Sequence, residues 1–108
     1  MNIGQIAKMA QQMQTQMAQA QQELKETTLE ATAGGGAVRV TITGSGEVRH
    51  VQIDPSAVDP QEVEMLQDLV LAAVNDAITR AKELERERMA GIAGGLGLPG
   101  MPGLPGLR

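Results

Sequence analysis

The chain has 108 residues, a formal net charge of −4 and no Phe, Tyr, Trp or Cys. One domain fits that length, and zero cysteine excludes disulfide scaffolds, thiolate metal sites and thiol catalysis while fitting a reducing compartment. The acidic balance argues against a strongly electrostatic nucleic-acid binder. A core made only of Ala, Val, Ile, Leu and Met gains roughly 1.5–3 kcal/mol per fully buried larger aliphatic. A short chain with so thin a core tends to complete its burial by association, so a dimer is expected. Neither a signal-peptide h-region nor a long apolar run occurs, so neither secretion nor membrane spanning is expected.

Residues 1–28 read as an amphipathic helix. Ile3, Ile6, Ala10, Met13, Met17, Ala20 and Leu24 recur at alternating spacings of three and four, a heptad seam kept over three heptads. The flanking positions (Ala7, Gln14, Gln21, Met9, Gln16, Glu23) carry almost no charge, so no ion-pair code selects a partner there. At 1.5 Å per residue the helix reaches about 40 Å, more than a small sheet can cover. Part of it should project or pack on another chain. The Met row reads as core packing; a metal-binding Met box is the remote alternative.

Leu29–Ala33 alternates and reads as a first strand, ended by Gly34-Gly35-Gly36. No Lys-Ser/Thr follows those glycines, so they are a turn and not a phosphate loop. In the next strand Val38, Val40 and Ile42 alternate with Arg39, Thr41 and Thr43. Gly44-Ser45-Gly46 supplies positive-φ positions for a hairpin turn, and a return strand ends Val51-Gln52-Ile53. Val48 is out of phase with Val51 and Ile53; one extra residue near Arg49–His50, a β-bulge, reconciles them. Asp54-Pro55-Ser56 stops the strand. A hairpin this small needs a third strand and a helix on its apolar face.

Asp59-Pro60-Gln61-Glu62 has the form of a helix start: Asp59 as N-cap, Pro60 at N1 and Glu62 closing a capping box. The helix is expected to run to about Met89. Leu66, Val70, Ala73, Ala77, Ala81 and Leu84 form its apolar stripe, widened by Leu69, Val74 and Ile78. Arg80, Lys82, Arg86 and Arg88 cluster towards its end, interleaved with Glu83, Glu85 and Glu87. Dipole compensation and i,i+3 pairing on a solvated face account for such a cluster. The alternative is a basic arm tip for phosphate contact. Residues 91–108 hold seven Gly and three Pro and read as a flexible, partly polyproline tail, too short for a collagen triple helix.

Catalytic chemistry is missing. His50 is the sole histidine and Ser45 and Ser56 the sole serines. No triad, thiol pair or metal-ligand spacing appears, and no aromatic stacks on single-stranded nucleic acid. No enzyme, metal, cofactor or small-molecule substrate is expected.

Taken together, KMAQQMQTQMAQAQQEL, the Gly-rich break, VRVTITGSGEVRHVQIDPSAV and LQDLVLAAVNDAITRAKEL resemble the YbaB/EbfC family of bacterial nucleoid-associated proteins. The resemblance covers residues 3–89 in order. It implies an α+β fold of order α-β-β-β-α: a three-stranded antiparallel sheet with long N- and C-terminal helices, in a tweezer-like homodimer. The domain would span residues 1–90, with 91–108 as tail. The resemblance further implies a cytoplasmic, nucleoid location, double-stranded DNA as partner and a role in nucleoid organisation and gene regulation. Family contacts to DNA are attributed to the helices. Carried onto this chain, they fall on Lys8, Lys25, Arg80, Lys82, Arg86 and Arg88. Three glutamates interrupt the terminal cluster, so binding should be modest, salt-sensitive and mainly to the backbone. A protein-interaction adaptor, using the Met/Ala seam or the apolar tail, is the alternative.

Overall fold

A computed structural model describes residues 2–95, in the order α1 (Ile3–Glu26), β1 (Thr28–Ala33), β2 (Val38–Thr43), β3 (Val48–Ile53), a 3-10 turn at Pro55–Ala57, and α2 (Val63–Gly95). The three strands form one antiparallel sheet in sequence order. This is the expected α-β-β-β-α arrangement.

The Asn2 side chain opens α1 by accepting from the Gln5 amide at 2.7 Å. Thr27 closes it, its hydroxyl and its amide both donating to the Glu23 carbonyl. In β2, Val38, Val40 and Ile42 are fully buried. On either side Ala31 pairs with Val40, and Val51 pairs with Val40 from the other edge, so the aliphatics share one face. The bulge falls where the alternation demanded it. Thr41 pairs with His50 and Ile42 with Val48, leaving Arg49 as the extra residue.

Three alanines of α2, Ala73, Ala77 and Ala81, meet that face at full burial. Their small side chains let the helix approach the sheet closely. Leu66, Leu69, Val70, Val74 and Ile78 pack around the rim. The helix lies over β1 and β2. It leaves β3 largely uncovered, every residue of that strand being exposed; Val48, Val51 and Ile53 keep 39–42% of their surface. The apolar face of the hairpin is therefore only half covered within one chain.

Three local expectations are corrected. Asp59 does not cap α2: its carboxylate accepts from the Gln61 amide and its carbonyl from Glu62, closing a turn, and the helix begins only at Val63. The carboxylate's bond to the Gln61 amide and the carbonyl's to the Glu62 amide stabilise that turn, which places the helix start one turn later. At the hairpin, Gly46 has a positive φ of 95° but Gly44 does not. Gly44 is required for space, since a Cβ there would lie 2.8 Å from Leu24 Cδ2 and 3.1 Å from the Leu24 carbonyl. The third correction concerns the end of α2, which continues past Met89 to Gly95. Ile92 and Ala93 are buried, and that burial outweighs the poor helix propensity of the neighbouring glycines. The remainder of the expected tail lies outside the described residues.

Candidate nucleic-acid interface

Two helices can present side chains to a long ligand. In α1 only Ala20 and Leu24 are buried; they seat the C-terminal end of the helix against α2 and β2. The N-terminal half stands clear. Ile3 is 85% and Ile6 51% exposed, so the heptad seam extends beyond its cover. The molecule is accordingly elongated, 69 × 30 × 16 Å.

The six basic residues singled out by sequence all lie on helices and all are exposed, but they do not form one patch. Lys8 is on the projecting half of α1, and Lys25 is in its last turn. Arg80 donates through Nε to Asp76 Oδ2 at 3.0 Å and lines a shallow depression with Leu29, Leu84 and Glu87, beside β1. Lys82 and Arg86, one turn apart, share a different side of α2, where Arg86 pairs with Glu83 at 3.3 Å. Arg88 faces α1, its Nε 3.1 Å from Glu23 Oε2, joining residues 65 positions apart. Helical periodicity thus turns the terminal cluster in three directions.

Neutralisation is uneven. On the sheet, Arg39 pairs with Glu30 and Arg49 with Glu47. With Arg80, Arg86 and Arg88, five arginines are in ion pairs, whereas Lys8, Lys25 and Lys82 make none among the described residues. Each exposed pair is worth only roughly 0.2–1 kcal/mol, so a phosphate can displace it, though the displaced carboxylate stays nearby and repels. The Asp76–Arg80 and Glu83–Arg86 pairs were legible in their spacing. The Arg88–Glu23 bridge was not, because it requires knowing that the two helices run side by side.

Among the described residues no group of three or more His, Asp or Glu side chains could hold a metal, and no helix is long and apolar enough to cross a membrane. No buried side-chain nitrogen or oxygen lacks a partner there. Thr43, the one buried polar side chain among the described residues, shares a 2.8 Å hydrogen bond with the Ser45 hydroxyl and accepts from the Glu47 amide. The shallow surface depressions and exposed helical arms suit an extended partner better than an enclosed small molecule.

A sheet half covered by one long helix, with a second helix standing off it, defines an α-β-β-β-α class of small α+β protein. A crystal structure described as the uncharacterized protein HP0035 from Helicobacter pylori has this fold, with a TM-score of 0.73 at 28% identity, over 84% of this chain and 95% of that one. The profile of the YbaB/EbfC DNA-binding family matches residues 1–96, and the chain belongs to that family. Curated relatives agree. A protein named "Nucleoid-associated protein" from Acetivibrio thermocellus is 52% identical over 96 residues, covering 89% of this chain and 85% of its own. One of the same name from Chloroflexus aurantiacus is 53% identical over 96 residues, covering 89% of this chain and 96% of its own.

Proposed function

We propose that this chain is a nucleoid-associated protein that binds double-stranded DNA as a homodimer, holding the duplex between helical arms mainly through backbone contacts. The observation that carries the reading is membership of a DNA-binding family along residues 1–96, a family that is not an enzymatic one. Names of relatives at about half identity point the same way. The proposal extends to a nucleoid location within the cytoplasm, to nucleoid organisation and gene regulation, and to residues 1–90 as the functional domain with 91–108 as an appendage.

Physical support comes from the arms. A projecting helix gives the reach a small domain otherwise lacks, and pairing two copies supplies two such arms. The uncovered apolar half of the sheet, Val48, Val51 and Ile53, gives a second copy a surface to bury. Lys8, Lys25 and Lys82 carry the phosphate contacts, with Arg80, Arg86 and Arg88 joining only by leaving their carboxylates.

Fluorescence anisotropy of a labelled random-sequence duplex across salt concentrations tests this. Each phosphate neutralised steepens log K against log[salt] by about 0.9, so a slope of several units is expected. Changing Lys8, Lys25 and Lys82 together to Ala should flatten it by about 0.9 for each lysine engaged. An absence of binding even at low salt would overturn the reading. It would leave the adaptor reading, which the exposure of Ile3, Ile6 and Met17 along the α1 seam, with Met9 beside it, favours as second choice.

A further inference from the structure

The projecting half of α1 is the one long surface element without a carboxylate. All 13 Asp and Glu residues lie at or after Glu23, so residues 2–22 carry a single charged side chain, that of Lys8. The exposed positions are filled instead with amides: eight of the chain's eleven glutamines are on α1. Gln5, Lys8, Gln12, Thr15 and Gln19 recur at helical spacing on the side away from the apolar seam, and all five are exposed. The side-chain amides of Gln5, Gln12 and Gln19 make no hydrogen bond to another protein group among the described residues. The exposed positions of α2 in the same molecule include Glu64, Asp68, Arg80, Lys82, Glu83, Glu85, Arg86, Glu87 and Arg88, so that helix mixes both signs of charge.

A helix face with one lysine and no carboxylate is open to a polyanion in a protein that is acidic as a whole. Its chemistry also goes beyond attraction. A glutamine amide offers one donor and one acceptor in the geometry of adenine N6 and N7, and the major groove of B-DNA admits an α-helix. The stripe from Gln5 to Gln19 is about 21 Å long at 1.5 Å per residue. That exceeds the stretch over which a straight helix follows the curving groove, so only some of the amides meet bases at one time.

Resting on the DNA-binding reading above, we infer that the amide face of α1 enters the major groove and reads adenine edges, with Lys8 anchoring a flanking phosphate. Backbone contacts then supply most of the affinity and the glutamines supply a preference for A·T-containing sites.

The test compares three duplexes of equal length: one rich in A·T pairs, one rich in G·C pairs, and the A·T duplex with 7-deazaadenine in place of adenine. That base lacks the N7 acceptor but leaves the minor groove and phosphates unchanged. The full chain is compared with its Q5A/Q12A/Q19A variant, in which alanine, the best helix former, keeps α1 intact; circular dichroism confirms it. The expected result is a preference of about fivefold or more for the A·T duplex. It should be lost both with 7-deazaadenine and in the variant, while the salt slope stays the same. Equal affinity for all three duplexes, or a preference that survives either change, would overturn the inference and leave the DNA-binding reading standing. Failure to bind any duplex at low salt would overturn both.

Discussion

Asp54 shows how a single side chain ends a strand. Its carboxylate accepts from the Ser56 amide and the Ser56 hydroxyl, each at 2.9 Å. These bonds favour the ionised form and hold its pKa below the ordinary aspartate value, the backbone bond contributing most. A carboxylate depressed in the folded state stabilises at pH above its unfolded value, and that contribution is lost as pH falls through its folded value. Ser56→Ala removes one of the two donors, so the Asp54 carboxyl should titrate closer to the ordinary value, as side-chain carboxyl NMR would read directly; an unshifted titration would show that the hydroxyl contributes nothing. Asp54-Pro55-Ser56 was legible as a strand stop. The role of Gly44 was not, because its need for a missing Cβ comes from Leu24, brought against it by the packing of α1.

Among the elements, α2 had the clearest apolar stripe, and its expected residues do form the contact with the sheet. Its two ends were misjudged for the same reason. Local signals compete with tertiary ones at helix termini, where Asp59 closes its own turn and Ile92 and Ala93 are buried beyond the first glycine. Gly91 lies inside the helix with helical φ and open space where a Cβ would stand. Gly91→Ala should therefore stabilise the protein by about 0.4–1 kcal/mol, chiefly by restricting the unfolded chain. The measurement is the urea midpoint at unchanged slope. Destabilisation would mean that the helix ends before residue 91 in solution. In α1 the heptad seam was equally legible, but the point at which its cover runs out was not: burial begins only at Ala20.

At the scale of the whole molecule, the uncovered half of the sheet is the chief unresolved burial. Val48, Val51 and Ile53 share a face with the buried Val38, Val40 and Ile42 through their strand pairing. A second copy laid on that face would complete the core that the aromatic-free composition left thin. Sedimentation equilibrium should give twice the chain mass at micromolar concentration. Val51→Asp, which sets a carboxylate on that face, should shift the protein to monomer while leaving the helix signal in place. A wild-type monomer, or a Val51→Asp dimer, would remove this surface from consideration.

Residue order alone determined the α-β-β-β-α succession, the bulge at Arg49 and the alanine stripe of α2. These follow from periodicity and turn chemistry, which act over a few residues at a time. Membership of the family was legible for a related reason: hairpin and helix motifs survive as contiguous strings. Only the tertiary structure decided which strand α2 leaves bare and which arginines are neutralised. It also decided which half of α1 stands free of the sheet and leaves its glutamines and Lys8 exposed. Each of those depends on where two distant segments meet in space, and no local period encodes such a meeting.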